Sequence, residues 1–254
     1  MLIVLLLPGL SGEQGVGCMT EKILWVVQYE SLDKFVSQAV AAGITALAIR
    51  TDNNLPLAIQ AAHKANLKVF GWRWPSALLD SALHEAEKAV TLLGAGLDGY
   101  FVDPEGDPGK PWDWDKNGLE AVADRFCSTI KNAAGARPLG VTSHYLAAAV
   151  FPKLPWSTFI NYADLLLPQA YWRTDEGRVG HADPGENYDR SLGSWGKLAS
   201  KAVPIVPMAG EIAHATAGEI QEYALKATGR NSDMHFYSYT SGVAASVWEA
   251  IKSA

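Results

Sequence analysis

Short apolar runs alternate with longer amphipathic stretches along nearly the whole chain. The runs cover residues 23–29, 44–51, 68–74, 97–105, 138–144, 164–172, 203–209 and 234–239. They are near-continuous in apolar character, as expected of strands buried on both faces. The stretches between them, at 31–42, 55–66, 76–93, 118–133, 188–201, 217–228 and 243–252, carry the helical period. Ser31 is placed to cap the first helix and Gly43 to end it, while Pro56 is tolerated in the first turn of the second. Strand–helix units at this spacing predict a parallel sheet with helices outside. Eight such strands predict a closed (β/α)8 TIM barrel, class α/β, rather than an open doubly wound sheet. Pro168, Pro204 and Pro207 weaken their strands, since proline donates nothing to a ladder.

The chain has 254 residues, 48% of them hydrophobic, which suits one barrel domain. Residues 23–254 are read as that barrel and 1–22 as an N-terminal extension. Met1–Leu7 is apolar but has no Lys or Arg before it, so it reads either as a weak signal or as a clamp on the barrel floor. Localisation is left open. No later apolar run is long enough to span a membrane. The net charge of −6 argues against a nucleic-acid partner. Cys18 and Cys127 make neither a disulfide framework nor a zinc pattern, and the six histidines lack ligand spacing. No metal or cofactor is expected, and the chain is expected to act as a monomer.

The C-terminal ends of barrel strands carry the chemistry in this architecture. Here those ends supply Gln28 and Tyr29, Arg50, Trp72 and Trp74, Asp103 and Glu105, His144 and Tyr145, Gln169, Tyr171 and Trp172, Glu211, and Tyr237 and Tyr239. The following loops add Trp112, Trp114 and Trp156. Polar groups mixed with aromatics suit a sugar groove: pyranose rings offer C–H faces to indoles, and hydroxyls to Gln, Arg and carboxylates. Trp25 and Trp248 are assigned to the core instead. Side chains alternate along a strand, so Phe101, Asp103 and Glu105 share the inward face, with Cβ atoms about 6–7 Å apart at each step of two residues. That spacing lies in the range of the carboxyl pairs that work on glycosidic bonds. A solvated acidic loop is the plainer reading of Asp-x-Glu alone, and a Ca²⁺-binding cluster of Asp103, Glu105 and Asp107 is a minor one.

The run Asp98-Gly99-Tyr100-Phe101-Val102-Asp103-Pro104-Glu105 resembles the fourth-strand signature of the family 18 glycoside hydrolases, the chitinases: Asp-Gly-x-Asp-x-Asp-x-Glu. Gln169-Ala170-Tyr171 is similar to their sixth-strand Gln-x-Tyr. The chain departs at Phe101, where the family carries its middle Asp. Family 25 lysozymes also place Asp-x-Glu on a barrel strand, usually with a first-strand Asp where this chain has Gln28 and Glu30. The resemblance implies a glycosidase acting on a β-1,4-linked N-acetylhexosamine polymer, peptidoglycan or chitin. Glu105 would be the general acid. Asp103 and Tyr171 would assist the substrate's own acetamido oxygen, and Gln169 would hold the reacting sugar. The remaining mouth residues, Trp172 and Trp72 foremost, would bind further sugars. The loops 106–117, 146–163 and 173–187 are expected to wall an open cleft. The competing function is a glycan-binding barrel without catalysis, although such lectins commonly lose the acid that Glu105 retains.

Overall fold

The computed structural model describes residues 20–174, 177 and 183–254. Most of the N-terminal extension, with Cys18, lies outside these residues, as do His181 and much of the loop after the sixth strand. The elements run β1 (Lys22–Val26), α1 (Leu32–Ala41), β2 (Ala46–Arg50), α2 (Leu55–Lys64), β3 (Lys68–Arg73), α3 (Leu79–Gly94), β4 (Gly99–Val102) and α4 (Glu120–Ala134). They continue with β5 (Leu139–His144), α5 (Trp156–Tyr162), β6 (Leu165–Gln169), α6 (Pro184–Gly196), α7 (Ala217–Thr228), β7 (Met234–Phe236) and α8 (Ala245–Ser253). All seven strands are parallel, in the order β6-β5-β4-β3-β2-β1-β7. The fold is the expected TIM barrel.

The seventh of the eight expected strands, 203–209, is not a regular strand. It closes the ring through isolated bridges, Leu166 to Ile205 on one side and Ala209 to Phe236 on the other. The reason is the one the sequence flagged: Pro204 and Pro207 lack an N–H, so the ladder is reduced to the positions that can still bond. Leu166 donates to the Pro204 carbonyl (2.9 Å), Val206 to Leu166 (2.8 Å), Met208 to Pro168 (2.8 Å) and Ala209 to His235 (2.8 Å). A side chain supplements this seam. The Tyr223 hydroxyl, from α7, donates to the Pro207 carbonyl (2.9 Å) and accepts the His235 backbone N–H (3.0 Å).

Strand alternation sorts the core into two layers. Leu24, Val26, Leu47, Ile49, Val69, Tyr100, Val102, Leu139 and Val141 face out and pack under the helices. Ile23, Trp25, Ala46, Ala48, Trp72, Phe101, Leu167, Val206 and Met208 fill the barrel itself. Small residues make room for large ones across this interior. A Cβ on Gly140 would stand 2.6 Å from the Phe101 ring, so glycine in β5 is what lets that ring lie flat in the barrel. Phe101 in turn stacks on Trp25 (5.1 Å) and on Phe70 (4.8 Å).

The barrel floor is tied by residues standing just before the strands. Thr45 accepts the Lys22 N–H (2.9 Å), Asp98 the Val69 N–H (2.7 Å), Asp164 the Leu139 N–H (2.8 Å) and Asp233 the Glu21 N–H (2.8 Å). Each satisfies a backbone donor that the start of a ladder leaves open. The first Asp of the chitinase-like signature, Asp98, belongs to this floor, where His63 also meets it (2.9 Å), and not to the mouth.

His235 is fully buried in the barrel, its Nδ1 accepting from Trp25 Nε1 at 3.0 Å. Burial lowers its pKa to about 3. A folded-state value below the unfolded one (~6.5) gives stability that is complete above pH ~6.5 and is lost as the pH falls toward 3. His235→Gln keeps an acceptor for Trp25 and removes the titration. We expect its urea midpoint to fall less than the wild-type midpoint between pH 7 and pH 4.5, by the equivalent of roughly 1 kcal/mol per pH unit. Parallel curves for the two proteins would show that His235 is not the group that charges.

Candidate active site

Asp103 and Glu105 stand just past the end of β4, and the local structure fixes both. The Asp103 N–H donates to the Arg73 carbonyl on β3 (2.9 Å). The Ser143 hydroxyl on β5 holds the Pro104 carbonyl between the two acids (2.7 Å). Beyond Pro104 the chain stays extended, and Glu105 bridges to Asp113, its carbonyl accepting the Trp114 N–H (2.8 Å). The returning loop is locked in its turn by Trp114, which is fully buried and donates through Nε1 to the Pro75 carbonyl (2.9 Å).

Gln169 on β6 donates from Nε2 to Asp103 Oδ1 at 2.9 Å, and the two carboxyl groups lie close enough that each feels the other's charge. Burial and the neighbouring Glu105 carboxylate hold Asp103 well above the usual carboxylate range. Burial also raises Glu105, against the hydrogen bonds from Gln169 and Asp103, with Asp107 adding to the rise. Such a pair retains a proton where isolated carboxylates would have lost theirs.

Tyr171 lines the same pocket as the pair. Its ring stacks on Tyr237 at 5.1 Å, and burial, with Tyr237 beside it, keeps its phenol protonated far above its ordinary value. Gly210 is the support beneath it: a Cβ there would come within 2.6 Å of the Tyr171 ring. Asn187 on α6 donates to the Tyr171 carbonyl at 2.9 Å.

These groups line a pocket of about 480 Å³ at the C-terminal end of the barrel. It brings together Arg50, Trp72, Trp74, Asp103, Glu105, His144, Tyr145, Gln169 and Tyr171, all expected from sequence. Trp72 is anchored by its Nε1 to the Val26 carbonyl (3.0 Å), and Trp74 is backed by Trp112 (5.2 Å). The pocket also includes Trp25, Val27, Thr142, Arg173, Thr174, Glu211 and Tyr237. Of these, Glu211 and Tyr237 were visible as strand-end residues. Trp25, assigned to the core, serves both as core and as pocket base.

Four expected sugar-binding residues are not in this pocket. Trp172 follows Tyr171 directly, so alternation turns its ring outward, where it is 1% exposed beside Tyr223 (6.0 Å). It is not a stacking platform. Gln28 is exposed beyond β1 and lies away from the pocket. Tyr29 stacks on Phe35 of α1 (5.6 Å), and Tyr239 packs on the same ring (4.6 Å) and on Trp248 (6.2 Å). Two loop tryptophans are corrected likewise: Trp114 is core, and Trp156 is buried against Trp195 (5.4 Å). Residues 146–163, expected as a cleft-walling loop, contain the short helix α5.

A raised carboxyl in the fold lowers stability as the pH climbs from its unfolded value (~4) through its folded one. Asp103→Asn should therefore raise the melting temperature at pH 7 by about 2–4 °C, equivalent to about 1 kcal/mol, and leave it unchanged near pH 4. Thermal melts at both pH values check this, and a loss at pH 7 would show that Asp103 is charged and stabilising.

Solved structures with the same fold serve different chemistries. The spore cortex-lytic enzyme SleL of Bacillus cereus superposes with a TM-score of 0.63 at 12% identity, over 91% of this chain and 73% of that one. A deoxyribose phosphate aldolase from Aeropyrum pernix gives 0.54 at 16% identity, over 93% and 89%. The chitinase domain of the spore coat protein CotE from Clostridium difficile gives 0.50 at 13% identity, over 79% and 67%. No family model and no curated protein sequence matches the chain. At these identities the likeness establishes the barrel alone, and function has to be argued from the pocket. Among the described residues no helix is long and apolar enough to cross a membrane.

Proposed function

We propose that the protein is a glycoside hydrolase acting on a β-1,4-linked N-acetylhexosamine polymer, peptidoglycan or chitin. The observation that carries this reading is the buried Asp103–Glu105 pair at the barrel mouth, with Gln169 donating to Asp103 and with Tyr171, Trp72 and Trp74 lining the same pocket.

Cleaving a glycosidic bond needs a proton delivered to the leaving oxygen as the C1–O bond breaks. Glu105 gives that proton. The acetamido oxygen of the reacting sugar closes on C1 in the same step, and Asp103, left as the anion, balances the positive charge that develops there. The Tyr171 phenol, uncharged over the whole working range, donates a hydrogen bond to the acetamido group and fixes its approach. Glu105 then takes a proton from the water that reopens the ring, which restores the starting pair. Trp74, part-exposed in the pocket, supplies an apolar face for a pyranose ring, and the buried Trp72 and Trp25 form the apolar base beneath it.

The aldolase-like chemistry of some fold neighbours is disfavoured by the pocket's composition. Carbon–carbon cleavage through a Schiff base needs a lysine amine, and among the described residues no lysine lines the pocket. The deciding experiment is digestion of purified peptidoglycan and of chitin oligomers, with mass spectrometry of the new reducing ends. A GlcNAc end marks a glucosaminidase or chitinase, and a MurNAc end a muramidase. Binding of either polymer without new ends would make the barrel a lectin.

A further inference from the structure

Arg50 ends β2 and lines the pocket, yet no acid of the catalytic pair holds it. Its carboxylate partner among the described residues is Asp52, which accepts from Nε at 2.8 Å. Asp52 is itself shared with Arg73 (3.9 Å), and Arg73 is drawn on by Glu85 (3.3 Å), whose other oxygen is fixed by the Ser76 N–H (2.8 Å). The guanidinium is thus clamped along its Nε edge by an alternating chain of charges. No protein hydrogen bond to its Nη groups is present among the described residues, and the side chain keeps 25% exposure. Arg50 lines the same pocket as Tyr237, whose ring stacks on Tyr171.

The other pocket arginine differs. Arg173 is tied to Glu219 through Nη2 (2.6 Å) and Nε (3.4 Å). Glu219 also closes the capping box of α7 with Thr216, so that pair serves to anchor the loop to the helix. One guanidinium in the pocket is taken up structurally, and the other presents an open fork. A clamped fork of two Nη groups matches a carboxylate in a bidentate way, whereas sugar hydroxyls need no fixed charge.

We infer that Arg50 is a specificity-determining residue that recognises a carboxylate carried by the glycan, so that the substrate is an acidic, muramic-type polymer rather than neutral chitin. This rests on the glycosidase reading above and names its substrate class. The carboxylate has two sources in such a polymer: the lactyl ether of MurNAc once its peptide is removed, or the peptide still attached to it.

The test compares wild type, Arg50→Gln and Arg50→Lys on four substrates: intact peptidoglycan, peptide-free glycan strands, the same strands with their carboxylates methyl-esterified, and chitin oligomers. Wild-type kcat/KM should fall about 10–100-fold on esterification, as expected for loss of a charge-assisted hydrogen-bonded pair. Arg50→Gln should erase that ratio, mainly through KM, and Arg50→Lys should restore part of it. Preference for peptide-free strands assigns the contact to the lactyl group, and preference for intact material assigns it to the peptide. Equal wild-type rates on free and esterified strands, together with no Arg50-dependent preference for intact material, overturn the inference, as does an Arg50→Gln variant that keeps every wild-type ratio. If wild type cuts chitin oligomers best, the inference falls and the glycosidase reading stands. If it cuts nothing, the glycosidase reading falls, and calorimetry with a MurNAc-containing disaccharide and its ester decides: binding that needs both the carboxylate and Arg50 supports recognition, and its absence refutes it.

Discussion

Glu105→Gln should lower turnover on the true substrate by about 10²–10⁴-fold, the usual contribution of a positioned general acid. Gln has nearly the shape of Glu and can still bond to Gln169 and Asp103, so the barrel should melt at or slightly above the wild-type temperature. Affinity for an uncleaved oligosaccharide should hold, because the aromatic walls are untouched. The acidic limb of the wild-type pH–rate profile should reflect Asp103 and the basic limb loss of the shared proton, with apparent values belonging to the pair. In the variant the basic limb should disappear. Steady-state kinetics with an isosteric fold check, by circular dichroism, measures all of this. Near wild-type turnover would remove Glu105 from the chemistry, whereas a large loss accompanied by unfolding would leave its role to be read from Asp103→Asn.

Phe101→Asp is expected to be the most damaging single change in the barrel. It installs the middle Asp of the chitinase-like signature, so a reading by motif alone would anticipate improved catalysis. The structure argues the opposite. The Phe101 ring is 1% exposed, stacked between Trp25 and Phe70 and lying over Gly140. Removing a buried Phe ring costs about 3–5 kcal/mol through lost burial and the cavity left behind. A carboxyl in that apolar stack, beside an acid pair already short of solvation, adds a further penalty. Together the melting temperature should drop by more than about 10 °C, at the usual few degrees per kcal/mol for a chain of this length. Phe101→Leu, which keeps the site apolar, should cost only about 1–2 kcal/mol. A Phe101→Asp protein that melts near wild type and turns over faster would show that the stack gives way easily and that the family's charge relay can be rebuilt here.

Much of this arrangement was legible in the sequence because barrel strands obey a period of two. Asp103 and Glu105 follow Phe101 at that period, and Gln169 at the end of β6 and Tyr171 two residues beyond it repeat the spacing; all four line one pocket. The same rule, applied consistently, excludes Trp172, since two adjacent residues at a strand end cannot both face inward. Tyr29 and Tyr239 escaped the pattern for another reason. Their rings are drawn instead to Phe35 on α1, against which both pack. Arg173 and Thr174 follow β6, and nothing in local sequence says that a glutamate on α7 will hold Arg173 at the pocket. The indoles of Trp114 and Trp156 were misplaced because a tryptophan on a long loop is as ready to bury itself as to meet a sugar. Here backbone carbonyls at Pro75 and Phe151 were available to take their N–H groups.

The proline-bearing seam at 204–209 gives the barrel a mechanical asymmetry. Six neighbouring strand pairs form a continuous parallel ladder from β6 round to β7, and the ring is completed across a segment sewn at a few points and pinned by one phenol. A hoop of this kind deforms at its weakest joint first. Slippage there moves β6 relative to β7 and leaves β4 in place. The two faces that separate are those bearing Tyr171 and Tyr237, whose rings are stacked across the joint. The acids therefore ride on the stiff arc of the hoop, and the residue that would steer the acetamido group rides beside its clasp. On the glycosidase reading proposed above, strain that a bound polymer put on the mouth would be felt as shear between those two tyrosines before it reached Asp103 and Glu105.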